Sequence, residues 1–136
     1  MSQPQSRRRL NVDLVEGIIV VTFTTPRIVQ EEDIQATFEQ LQRLVDEKPG
    51  REYVLDFRKV QFLSSSVLGR LVLLNKNVAS SKGRLVLCGI AKEIFEVFKI
   101  TKLDKVFTIK EDVKAALKVF GVSAEDVKVR QRLDEE

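Results

Sequence analysis

Histidine is missing from all 136 residues of the chain, and so is tryptophan; cysteine and methionine occur once each and proline three times. The missing histidine excludes the most. Ser-His-Asp and Cys-His nucleophilic sites, histidine-ligated zinc and histidine acid–base catalysis all need an imidazole. Lysine or a carboxylate could still act as a base, but the commonest ways of activating a serine are gone. A lone cysteine, Cys88, cannot close an internal disulfide, which points to a reducing compartment. No apolar run approaches the roughly 20 residues of a membrane-spanning helix. The start, Met-Ser-Gln-Pro-Gln-Ser-Arg-Arg-Arg, has no apolar segment behind its charges and so does not read as a secretory signal. The sequence is therefore expected to be cytoplasmic, with no membrane association.

The charge balance excludes further classes. Lys and Arg total 23 against 20 Asp and Glu, a net charge of +3, and much of the excess sits in Arg7-Arg8-Arg9. So mild an excess gives no case for direct nucleic-acid binding, and a single arginine triplet reads as a solvated tail. With 43% hydrophobic and 32% charged residues the composition is that of an ordinary globular protein of one domain.

What is present divides by period. Residues 1–9 read as a disordered basic leader. Leu10, Val12 and Leu14 alternate with polar neighbours, and Ile18 to Phe23 is a second apolar run across Glu16-Gly17, together a β-hairpin closed by Pro26. Ile34, Phe38, Leu41, Leu44 and Val45 mark a helix from about Gln30 to Lys48, with Glu31, Glu32 and Asp33 in its first turn. Tyr53 to Phe57 is a strand apolar on both faces, hence central and parallel. A second helix carries Val67, Leu68, Leu71, Val72, Leu74 and Val78, runs to about Lys82 and has Gly83 as its expected C-terminal cap. Arg84 to Cys88 is a buried strand. Ala91 to Lys99 is a short helix burying Ile94, Phe95 and Phe98. Val106, Phe107 and Ile109 form a last strand, and Glu111 to Phe120 a last helix. The expected order is β-β-α-β-α-β-α-β-α, an α/β fold with a mixed, mainly parallel sheet, an N-terminal hairpin and packing helices. Residues 10–121 make the domain, and 122–136 a charged tail, partly helical or frayed.

Three consecutive serines, Ser64, Ser65 and Ser66, stand where the central strand hands over to the second helix. Such a position suits simple N-capping, worth roughly 1 kcal/mol. On chemistry alone capping is the favoured reading, but the position also suits a phosphate, because free N–H groups and the positive end of the dipole converge there. Other features carry less. Gly83 and Gly89 flank a strand without forming a nucleotide-binding fingerprint. Cys88 reads as a small core residue. Asp56, at the end of the central strand, is expected to accept hydrogen bonds from the loop that follows. No Gly-x-Ser-x-Gly elbow supports a hydrolase.

The run Val54-Leu55-Asp56-Phe57, then Val60, then Phe62-Leu63-Ser64-Ser65-Ser66-Val67-Leu68-Gly69, resembles the signature of STAS domains, named for sulfate transporters and anti-sigma factor antagonists. Gly83 to Gly89 and Lys102 to Phe107 resemble the next strand of that family and the loop before its last strand. The likeness spans about Leu10 to Phe120. It implies a non-enzymatic, single-domain anti-sigma factor antagonist of bacterial type, active in transcription regulation and stress response. Its partners would be an anti-sigma factor that is a serine kinase and a PP2C-type phosphatase. It would need no cofactor of its own, since the kinase brings ATP and Mg²⁺. The phosphoacceptor would be Ser65, with Ser64 and Ser66 as alternates, and the partner surface would comprise Ser64, Ser65, Ser66, Val67, Leu68 and Gly69. Ser64 stands where the family usually has aspartate and Val67 where it usually has glycine. Ser64 is read as a cap-like substitute, Ser66 as first-turn support, and Val67 as adding bulk beside Ser65. The alternative is a non-phosphorylated STAS scaffold in a stress-signalling assembly. A monomer or weak dimer is expected.

Overall fold

The computed structural model describes residues 9–123, 125, 127 and 130–133. Arg7 and Arg8 of the basic leader lie outside the described residues; Arg9 is described, and its guanidinium pairs with Asp33 at 3.1 Å.

The hairpin forms as its alternation requires. β1 (Leu10–Val15) pairs antiparallel with β2 (Ile18–Phe23), Leu10 facing Phe23 and Val15 facing Ile18. Glu16 and Gly17 both take positive φ, the turn whose twist matches that of the flanking strands. α1 (Glu31–Glu47) follows, burying Ile34, Phe38, Leu41 and Val45. β4 (Glu52–Asp56) runs parallel to β2 on one side and to β6 (Arg84–Cys88) on the other, which is why it is apolar on both faces. α2 (Ser65–Ser80) connects these two strands and buries Val67, Leu68, Leu71, Leu74 and Val78. α3 (Lys92–Ile100), a 3-10 turn at Leu103–Lys105, β7 (Thr108–Lys110) and α4 (Val113–Val119) complete the expected order.

Three short strands were not legible in the pattern. β3 (Arg27–Ile28) and β5 (Phe62–Leu63) form a separate two-stranded parallel sheet. β8 (Arg130–Arg132) joins the outer edge of β1, so part of the expected frayed or helical tail is strand. The main sheet has the order β7-β6-β4-β2-β1-β8. Two other expectations are corrected. The strand expected around Val106 to Ile109 is Thr108–Lys110, and Val106 belongs to the exposed turn before it. The left-handed residue that ends α2 is Lys82 at φ 70°, not Gly83. Gly83 is needed for a different reason: a Cβ there would lie 2.3 Å from the Arg51 carbonyl oxygen.

The sheet divides the core in two. Val12, Ile19, Val21, Tyr53, Leu55 and Leu87 pack with α1, α2 and α3 in the larger cluster. Val15, Ile18, Val20, Val54, Val86 and Cys88 pack with Ala116 and Leu117 of α4. Each fully buried aliphatic side chain contributes on the order of 1.5–3 kcal/mol. Because β4 and β6 are adjacent and parallel, α2 and α3 both start at the same end of the sheet, and a cleft opens between their first turns.

Candidate functional site

The loop from Asp56 to Ser64 is tied down before α2 begins. Asp56 is buried, and its Oδ1 accepts a hydrogen bond from the Arg58 N–H at 3.0 Å, as expected of a strand-end carboxylate. Its Oδ2 has no hydrogen-bond partner among the described residues, although the Arg58 Nε stands 3.4 Å away. That separation is an ion pair too poorly aligned to count as a hydrogen bond. Further along, the N–H groups of Gln61 and Phe62 both donate to the Pro26 carbonyl, and the Ser64 N–H donates to the Ile28 carbonyl at 3.0 Å. The small β3–β5 sheet therefore fixes the residue immediately before the helix. The Arg27 guanidinium lies 4.8 Å over the Phe62 ring, a cation–π contact on the outer side of that sheet.

The three serines have three different situations. Ser64 takes the N-cap position, with extended backbone at φ −84° and ψ 163°, but its hydroxyl makes no capping bond. Instead Ser64 Oγ and Ser66 Oγ are 3.0 Å apart, and Ser66 Oγ donates to Glu31 Oε1 at 3.4 Å. Arg70 holds the other Glu31 oxygen at 3.2 Å. The cap-like role expected of Ser64 is thus positional only: its hydroxyl serves a side-chain network joining α1 to α2. Ser65 is the first residue of α2, is exposed, and points into the cleft.

That cleft is an open groove of about 600 Å³ lined by Phe62, Leu63, Ser65, Leu68, Ile94 and Val97, with Gln61, Ala91 and Glu93 at its edges. Leu68 is 7% exposed and forms its floor, while Phe62 at 52% and Val97 at 41% stand as its walls. Phe62 and Val97 thus present apolar side chains to solvent beside the Ser65 hydroxyl. Val67 belongs elsewhere. It is 0% exposed and lies in the core, so it neither adds bulk beside Ser65 nor offers a partner contact. Gly69 is exposed, and a Cβ built there would meet nothing within 4 Å.

Phe62, Ile94 and Val97 were not among the expected site residues. One signal was available: α3 reads Lys-Glu-Ile-Phe-Glu-Val-Phe-Lys-Ile, with apolar residues at five of its nine positions. A short helix on one sheet face cannot bury so many. Only Ile94 and Phe98 are buried, Phe95 is half-buried, and Val97 and Ile100 are left outside.

Reactive chemistry is absent from the remaining candidates. Burial, followed by the nearby charges of Asp56 and Asp112, pushes the Cys88 thiol up to about 12, so it carries no thiolate at neutral pH. Among the described residues no group of three or more His, Cys, Asp or Glu side chains is arranged to hold a metal ion. No helix among them is long and apolar enough to cross a membrane.

The chain is similar in sequence or in fold to several known proteins. A Bordetella bronchiseptica protein with the provisional name anti-sigma factor antagonist BtrV is 27% identical over 112 residues, covering 82% of this chain and 94% of its own. A STAS domain protein from Planctomyces limnophilus, described as an anti-sigma-factor antagonist, superposes with a TM-score of 0.73 at 20% identity, covering 83% of this chain and 98% of that one. The Bacillus cell-fate determinant SpoIIAA, solved in its phosphorylated form, gives 0.58 at 14% identity, covering 79% of this chain and 98% of its own. These structural likenesses concern the fold. The STAS domain profile matches residues 9–116, and with the strand–turn–serine–helix unit and sheet order described above, the chain belongs to the STAS domain family.

Proposed function

We propose that this protein is an anti-sigma factor antagonist whose binding surface is the groove around Ser65. It binds an anti-sigma factor that is itself a serine kinase, thereby frees a sigma factor, and is switched off when that kinase phosphorylates Ser65. A PP2C-type phosphatase restores it. As a STAS domain protein the chain works by binding and not by catalysis; ATP, Mg²⁺ and the catalytic groups belong to the kinase. The name carried by the Bordetella relative supports this reading.

The observation that carries it is the exposed Ser65 hydroxyl at the first residue of a 16-residue helix, beside an apolar groove. Phosphorylation there acts differently on the two sides. The domain tolerates about −1.5 to −2 added charges, because they sit at the positive end of the α2 dipole near unpaired first-turn N–H groups. A partner that has laid apolar surface over Phe62, Leu68 and Val97 must instead desolvate that charge, which is costly. Ser65→Asp should therefore leave thermal stability unchanged or slightly raised while weakening partner binding by about tenfold or more, and Ser65→Ala should bind like the unmodified chain. Titration calorimetry against the anti-sigma kinase without ATP checks the affinities, and mass spectrometry after incubation with Mg-ATP checks the acceptor. Equal affinity of the Asp and Ala variants, with no phosphate on Ser64, Ser65 or Ser66, would leave a constitutive scaffold as the surviving reading.

A further inference from the structure

The outer edge of β1 is where the chain goes beyond the part its family match covers. The match ends at residue 116, yet Arg130–Arg132 supply a sixth strand of the main sheet. All three residues of that strand are exposed, so apolar burial by the strand itself is too slight to hold it. Three other contacts do so. Leu14 and Gln131 lead a short antiparallel ladder, extended by the Leu133 N–H donating to the Val12 carbonyl at 2.7 Å. The half-buried Leu133 rests in a shallow recess with Leu10, Val12 and Leu44. Asp13, only 5% exposed, accepts hydrogen bonds from Arg130 Nε at 2.8 Å and Arg132 Nε at 2.6 Å. Arg132 also donates to Asn11 Oδ1 at 3.3 Å.

These contacts share one property: their partners lie on β1 or in the recess between β1 and α1. The identical strand of another copy would meet the same Asp13, Asn11 and Val12 and lose none of those bonds, and exchange of an identical element is a low-cost route to a dimer. Phe120, Val122 and Val127 of the connection between α4 and β8 rest on the second core cluster, so exchange must first peel these side chains away, after which residues 120–129 can span up to about 33–36 Å when extended. We propose that β8 is an exchangeable edge strand latched by Asp13: when the latch opens, β8 leaves β1 as a unit, and the vacated edge takes the same strand of a second copy.

A cross-strand cysteine pair reads out whose strand sits on whose β1. Leu14 and Gln131 are directly opposed in the register, so a full-length Leu14→Cys/Gln131→Cys variant can be oxidised over a series of protein concentrations and run on a non-reducing gel. Each single-cysteine variant supplies the background of chance collisions. The expected result is a disulfide-linked dimer above that background that grows with concentration. Its rate of formation should rise by about tenfold or more when Asp13→Asn removes the charge from the latch. Hydrogen exchange on the unmodified chain gives an independent reading. The Leu133 amide should exchange far faster than amides of β4 and β6, as a strand that opens by itself must. A disulfide confined to one chain at every concentration and in the Asp13→Asn background, or Leu133 protection equal to that of β4, overturns the proposal.

Discussion

At the scale of single residues, Gly69 sharpens the reading of the Ser65 surface. A glycine inside a helix costs about 0.5–1 kcal/mol relative to alanine. Here the fold gains nothing for that cost, because a Cβ would meet open space. Gly69 lies one helical turn after Ser65, on the same side of α2, so the bare backbone allows something outside the chain to come close. Gly69→Ala should raise the unfolding free energy by about 0.5–1 kcal/mol in a urea titration. Gly69→Arg should keep the fold but weaken anti-sigma factor binding by about tenfold or more; an arginine variant that binds normally would remove α2 from the interface. The place of Ser65 at the start of α2 is legible in sequence because a polar run meets a helical period. Val67 was misplaced because neighbours in sequence are not neighbours on a helix. Two steps turn the side chain by about 200°, from the groove into the core. The partner of the Ser64 hydroxyl was illegible for another reason: Ser66 Oγ and Glu31, on an element more than 30 residues earlier, compete with the helix's own N–H groups.

At the scale of elements, legibility followed length. α1, α2, β2 and β4 declare themselves because five or more residues repeat a period. β3 and β5 contain two residues each and have no period to read, although they hold the loop in front of Ser65. The end of α2 misled in a more instructive way. Gly83 had the right place for a left-handed cap, but Lys82 adopts that conformation and Gly83 instead lets the start of β6 pass against Arg51. The two roles predict opposite outcomes. Gly83→Ala should destabilise the protein by about 1–3 kcal/mol, since the new methyl group is driven into a backbone carbonyl. Lys82→Gly should stabilise it by a few tenths of a kcal/mol to about 1 kcal/mol, by relieving a positive φ on a residue with a Cβ. Urea unfolding of both variants checks the pair; a neutral Gly83→Ala would show that the strand can shift aside.

At the scale of the whole molecule, the parallel order β2-β4-β6-β7 follows from alternation of strands and helices, whereas the closing of the β1 edge depends on residues 117 and 119 positions away from Asp13. No local pattern could announce that a charged tail would neutralise a buried carboxylate. The contact gives global stability a defined dependence on pH. Burial alone pushes the Asp13 carboxyl up, but the hydrogen bonds and charges of Arg132 and Arg130 together outweigh it, and the group sits below its ordinary value of 3.8. Because the folded value is the lower one, the unfolded chain binds the proton more readily, and acid favours unfolding. The contribution of Asp13 is complete above about pH 4–5 and is lost as pH falls through the folded value. Removing this group by Asp13→Asn should therefore lower the urea midpoint at neutral pH by an amount that stays constant down to about pH 5 and then shrinks as the parent protein loses the same interaction. The measurement is a set of urea titrations of parent and variant between about pH 3 and pH 7. A difference that stayed constant to the acid end would mean that the carboxylate charge contributes nothing and that the backbone ladder and the Leu133 contact hold β8 in place without it.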